Sequence, residues 1–182
     1  MSRHLIVHAH PRPTESTVTA GLLARLSAQP DTAVRSLYDL YPDFDIDVAA
    51  EQQALQAAEV VVFLSPVYWY TVPGLLKHWF DTVLTHGWAY GHGGTALQGK
   101  HAWWVASAGA AASDYSASGQ HGRPLNEFTP VVEHVARYCG MHWHAPFVVH
   151  AGHHATPAEL DAHHTALLAR WHAITHPTGA RA

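Results

Sequence analysis

The amino-acid sequence predicts a three-layer α/β fold, a five-stranded parallel sheet with helices on both faces. Three observations carry that reading. Short apolar runs recur along the chain, segments of helical periodicity lie between them, and the two alternate five times. The length of 182 residues, with 48% hydrophobic and 13% charged side chains, suits one ordered domain over 1–182 with a single substantial core.

Leu5 to Ala9, Val60 to Leu64 and Trp103 to Ala106 are continuous apolar runs, as strands buried on both faces require. Pro146 to Val149, with the aromatic stretch before it, is a fourth strand, and Ala33 to Leu37 a weaker fifth. The first helical segment, Thr17 to Ala28, sets Leu22, Leu23 and Leu26 at helical spacing, and Glu51 to Ala58 is the second. Pro73 to Leu84 opens on a proline suited to a first turn and carries Leu75, Leu76, Trp79, Phe80 and Val83. Leu125 to Tyr138 runs to Gly140, a helix stop. Thr156 caps the last helix and Glu159 completes a capping box ahead of Leu160, Leu167, Leu168 and Trp171.

Several function classes fall away on composition. The formal charge of −4 and the lack of a basic run set nucleic acid aside. Cys139 is the sole cysteine, so no intrachain disulfide forms, which is compatible with a reducing cytosol. The start MSRHLIVHAHP runs straight into a strand without the plan of a signal peptide, and no stretch approaches the ~20 apolar residues of a membrane helix. The expectation is a cytoplasmic protein, with docking at the inner face of the membrane through a partner left open. Eighteen histidines invite a metal, through His142 and His144, His153 and His154, or His163 and His164. None has the i, i+4 pair with a carboxylate or the Cys/His cage that zinc sites use, so no metal centre is expected. A hydrolase lacks its GxSxG elbow.

In the common doubly wound order 2-1-3-4-5, ligands sit beyond the carboxyl ends of the strands, where strands 1, 3 and 4 are neighbours. The loop after strand 1 holds His10, two prolines and then Ser16, Thr17, Val18 and Thr19 at a helix start. Unpaired N–H groups there suit a phosphate, although Ser16 or Thr17 acting only as a cap is an open reading. Neither GxGxxG nor GKS/T is present, which removes the Rossmann and P-loop nucleotide sites. After strand 3 come Pro66, Val67, Tyr68, Trp69 and Tyr70, rigid and flat side chains that suit a planar ring or, alternatively, a packed aromatic corner. After strand 4 the small residues Ser107, Ala108, Gly109 and Ala110 let backbone approach a ligand closely. Tyr115 and His121 follow, both able to donate a proton or hydrogen bond. The long segments 85–100 and 107–124 exceed ordinary turns and point to function.

On the motifs LIVHAHPRP with Ser16 beyond it, SPVYWYTVPGLLKHWFDTVL and GWAYGHGGTALQGK, the chain resembles the flavodoxin-like NAD(P)H:quinone oxidoreductases. Through LYDLYPDFDIDVAAEQQAL and THGWAYGHGGTALQGKH it is most similar to the subgroup of ancillary flavoproteins of glutathione-regulated potassium-efflux systems. The resemblance covers almost the whole chain and implies a bound flavin. His10 and Ser16 to Thr19 would meet its phosphate and ribityl chain, Val67 to Tyr70 would line the isoalloxazine with Pro66 among the cofactor-binding residues, and Ser107 to Ala110 would bond its polar edge. Tyr115 and His121, six residues apart past the small-residue loop, match a Tyr/His pair that assists hydride transfer in the family. The family's usual Thr-Thr-Gly-Gly reads Ser107-Ala108-Gly109-Ala110 here, and Thr19 stands where Asn is common. Dinucleotide-type members often carry extra carboxyl-terminal segments, so the resemblance implies FMN, with FAD the alternative and NAD(P)H the co-substrate. It also implies a homodimer, a quinone-like acceptor and, for the subgroup, a potassium-efflux antiporter as partner. A regulatory subunit of that antiporter remains the rival function. A one-electron carrier does not suit a chain with a pI near 6.5.

Overall fold

The computed structural model describes residues 3–176. Five parallel strands, β1 (His4–His8), β2 (Thr32–Ser36), β3 (Val60–Pro66), β4 (His101–Ala108) and β5 (His142–His150), form one sheet in the expected order 2-1-3-4-5. Register is set by pairs such as Ile6 with Val34 on one side and Val62 on the other. Side chains alternate across each strand, so Leu5, Val7 and Phe63 face one layer while Ile6, Val62 and Leu64 face the other.

Helices α1 (Val18–Ser27) and α6 (Pro157–Thr175) cover the second of these faces through Leu22, Leu26, Leu167, Trp171 and Ile174. The short α2 (Leu37–Leu40), with α3 (Val48–Ala57), α4 (Gly74–Val83) and α5 (Pro130–Tyr138), covers the first. All five apolar residues singled out on α4 are buried there. Burying each large side chain contributes about 1.5–3 kcal/mol, so the two packed faces provide the main stabilising term. The Thr156–Glu159 capping box opens α6 as expected, with Glu159 N–H donating to Thr156 Oγ1 at 3.3 Å and Thr156 N–H to Glu159 Oε2 at 2.7 Å.

Two boundaries differ from the periodicity. Leu37 is fully buried and starts α2 instead of ending β2, with Tyr41 N–H donating to Leu37 O at 2.8 Å. The segment from Leu125 divides into a single 3₁₀ turn (Leu125–Glu127) and α5, because Pro130 has no N–H to carry the turn's hydrogen bonds onward and instead opens a new helix at its first position.

A carboxylate fully removed from solvent sits on the first face. Glu51 Oε1 accepts from Arg35 Nε at 2.8 Å and Tyr41 Oη at 2.7 Å, and Oε2 accepts from Trp79 Nε1 at 3.0 Å. Every partner is satisfied, which is what makes a buried charge tolerable. In the 85–100 segment, Gly87 N–H donates to Tyr90 O at 2.8 Å, and a side chain on Gly94 would run into the Tyr90 backbone. That close approach accounts for Gly94, while Gly87, Gly91 and Gly93 take left-handed backbone that other residues rarely adopt.

Candidate functional site

The carboxyl ends of β1, β3 and β4 surround a cleft of about 280 Å³. Its lining includes Ser16, Thr17 and Val18 from the first loop, Pro66, Val67 and Tyr68 from the second, and Ser107, Ala108 and Gly109 from the third. The three loops selected by topology therefore converge.

The helix start is built as an anion cradle. Ser16 is extended (φ −90, ψ 112) and Thr17 already helical (φ −84, ψ −45), so Ser16 is the cap. Its Oγ accepts from Thr19 N–H at 3.1 Å, leaving the hydroxyl proton free to donate. The N–H groups of Thr17 and Val18 have no partner among the described residues and open at the cleft. Thr19 is buried and does not line the cleft; its Oγ1 meets Ser107 Oγ at 3.0 Å and ties α1 to the end of β4. His10 is also buried and is not among the cleft's lining residues. Its Nδ1 accepts from Arg12 N–H at 3.1 Å, which places the ring proton on Nε2. Burial pushes its imidazole below the ordinary value, so the ring is neutral at pH 7.

The loop after β5, which the topological argument passed over, supplies two more lining residues, Gly152 and His153. A Cβ on Gly152 would stand 2.6 Å from Val18 Cγ2, so only glycine lets this turn pack on the start of α1. Glu15 lines the rim and pairs with Arg12 at 3.4 Å, which offsets a negative charge beside an anion site. The signal for these residues was positional: a strand end adjoining β4 on the same edge of the sheet.

The second loop ends in a tight reversal. Tyr68 N–H donates to Thr71 O at 2.9 Å and Thr71 N–H to Tyr68 O at 3.1 Å, with Trp69 (φ 47) and Tyr70 (φ 66) both left-handed. That is the backbone of a I′ turn, usually built from Asn and Gly, here held by two aromatics. Trp69 is 90% exposed at the tip and stands clear of the cleft. Tyr70 turns toward a separate aromatic cluster.

In that cluster Tyr115 and His121 stack with ring centroids 4.3 Å apart. Tyr70 stacks on Phe128 at 4.6 Å, and its hydroxyl makes a long 3.4 Å contact to His121 Nδ1. His150, at the end of β5, lies 5.5 Å from the Tyr115 ring. The loop is pinned by Asp114, whose Oδ2 accepts from Ala111 N–H at 3.0 Å and whose carbonyl accepts from His121 N–H at 3.0 Å. Burial, with Tyr70 and Asp114 nearby, pushes the Tyr115 phenol up, so it is a proton-bearing donor across the neutral range. Ala110 is not among the cleft's lining residues, although its carbonyl accepts from Ala151 N–H at 3.2 Å and helps join the third loop to the β5 turn.

No group of three or more His, Cys, Asp or Glu among the described residues could hold a metal ion. His101 Nδ1 and His144 Nε2 lie 2.8 Å apart, but at the amino ends of β4 and β5, across the sheet from the cleft.

Residues 2–173 match the family model described as flavodoxin-like fold. The chain belongs to that family. Within it, the glutathione-regulated potassium-efflux system ancillary protein KefF of Salmonella typhimurium is 46% identical over 146 residues, covering 80% of this chain and 82% of that one. The general stress protein 14 of Treponema denticola, solved in complex with FMN, is 38% identical with a TM-score of 0.89, covering 94% of this flavodoxin-like chain and 99% of that one. An NADPH-quinone reductase from P. pentosaceus is 27% identical with a TM-score of 0.82 over 91% of this chain and 95% of that one.

Proposed function

We propose that the chain is a flavin-dependent NAD(P)H:quinone oxidoreductase that binds FMN and works by two-electron, ping-pong hydride transfer to a quinone-like acceptor. The observation that carries this reading is the cradle at the start of α1: two N–H groups unpartnered among the described residues and a capping hydroxyl with its proton free. That donor set fits a phosphate. Pro66, Val67 and Tyr68 form an apolar wall beside it, and a Cβ on Gly109 would meet nothing within 4 Å, so the third loop leaves its space open. The FMN complex of the 38% identical Treponema protein supports FMN over FAD.

When bound, the flavin supplies the two-electron chemistry, accepting hydride from the nicotinamide and passing the pair to the acceptor. The chain's own residues bind and orient. Ser16, Thr17 and Val18 would hold the phosphate end, Pro66, Val67 and Tyr68 would bound the ring, and Ser107, Ala108 and Gly109 would face its polar edge, while His10, Trp69, Tyr70 and Ala110 lie outside the cleft lining. Tyr115 donates a hydrogen bond where negative charge develops, and His121 beside it holds or releases the proton.

The acceptor pocket is shared in a homodimer on this reading. Val131 and Tyr138 are exposed on α5, beside a groove of about 300 Å³ lined by Phe80, Leu84, Tyr90 and Val135. Sedimentation or light scattering giving a monomer mass would remove the dimer. The 46% identity to KefF favours a second reading, an ancillary subunit at the cytoplasmic face of a potassium-efflux antiporter with redox activity secondary. NADPH-dependent reduction of a benzoquinone by the isolated flavoprotein supports the enzyme. Co-purification with an antiporter, with no quinone turnover, supports the subunit instead.

A further inference from the structure

Two imidazole nitrogens in the aromatic cluster, His121 Nε2 and His150 Nδ1, are buried and make no hydrogen bond among the described residues. Both rings lie against Tyr115, at 4.3 and 5.5 Å between centroids. A ring kept only for packing would be better apolar, because a buried polar atom left unpaired costs stability. His150 belongs to neither the cleft lining nor the Tyr115–His121 pair. It is also the point where the cluster meets α6, whose His163 lies near enough to bear on its charge.

We propose, resting on the quinone-reductase reading, that His150 is the second proton station of the site. It is a positioning residue that acts on the acceptor only through Tyr115 and His121. Reduction of a quinone by NAD(P)H consumes one proton beyond the hydride. As the acceptor oxygen takes the electron pair, an O–H or N–H bond of the Tyr115–His121 pair breaks and the acceptor's O–H forms. The neutral His150 ring then gives its N–H proton to the vacated base as its other nitrogen takes one up from solvent. The groups facing His150 are Tyr115 from the loop, the Ala110 backbone, and His163 from α6. Burial and His163 push its imidazole below the ordinary value while the Ala110 backbone opposes them, so the ring is neutral at pH 7 and can take up a proton on one nitrogen as it gives one from the other.

The test uses the flavin-loaded protein with His150→Phe, His150→Gln and His121→Ala. Imidazole NMR follows the His150 titration. Its midpoint should lie below 6.5 and rise by about half a pH unit or more in His121→Ala, as coupled sites require. Stopped-flow reoxidation by a benzoquinone should slow about tenfold in both His150 variants and lose its pH dependence, with flavin content unchanged. His150→Gln carries no titratable nitrogen yet stays polar, and so separates proton transfer from packing. A His150 midpoint indifferent to His121→Ala, or an unaltered pH profile in flavin-replete His150→Gln, overturns the relay. If the unmodified protein fails to reduce quinone, the function reading fails, and the titration still decides whether His150 and His121 exchange charge.

Discussion

Tyr115 and His121 illustrate what single residues contribute. Their rings are stacked, the phenol is held protonated by burial, and the loop between them is closed by Asp114. Neither residue lines the cleft, which fits the proposed role in chemistry better than one in holding the cofactor. Tyr115→Phe combined with His121→Ala should slow flavin reduction by NAD(P)H by about 10²-fold, the usual worth of a positioned acid–base pair, and leave flavin bound. Stopped-flow reduction at an unchanged rate would remove the pair from the mechanism. The two residues were visible in sequence through their spacing and family resemblance. Their neighbours His150 and Phe128 were not, because strand ends and loop turns far apart in the chain bring them together.

At the scale of the elements, the cleft depends on where α1 begins. Ser16 caps it, Thr19 ties it to Ser107, and Gly152 lets the β5 turn press on Val18. Ser16→Ala should cost about 1 kcal/mol in the apoprotein through the lost cap and weaken flavin binding as well. Urea unfolding and flavin-fluorescence titration read the two effects separately, and unchanged flavin affinity would show that Ser16 only caps. The elements were legible to differing degrees. The run of apolar positions on α4 foretold its burial, since one face does all the packing. The edge strand β2 was weak in sequence because its residues are only half-buried, and Leu37 was misplaced because burial in a short helix and in a strand look alike. The Arg35–Glu51–Tyr41–Trp79 network was illegible, because nothing local tells a buried glutamate from a solvated one.

For the whole molecule, the many histidines have a collective consequence. Burial pushes His4, His10, His101, His144 and His150 below their ordinary value, and His8 down to about 4 through burial and its neighbour His10. Between about pH 6.5 and 4 the unfolded chain binds protons that the folded chain refuses, so stability is full above that window and is lost as pH falls through it. His8 alone accounts for up to about 3 kcal/mol of that loss. The urea midpoint should drop progressively over this range and drop less in His8→Asn; a midpoint level from neutrality to pH 4 would contradict the burial of these neutral rings.

All three scales meet in the claim that the converging ends of β1, β3 and β4 hold a flavin mononucleotide. The most direct measurement is identification of the cofactor released when the purified protein is denatured, together with reconstitution of the apoprotein. The predicted result is FMN, one per chain, rebound by the apoprotein. A protein that releases no flavin and takes up neither FMN nor FAD would contradict the account.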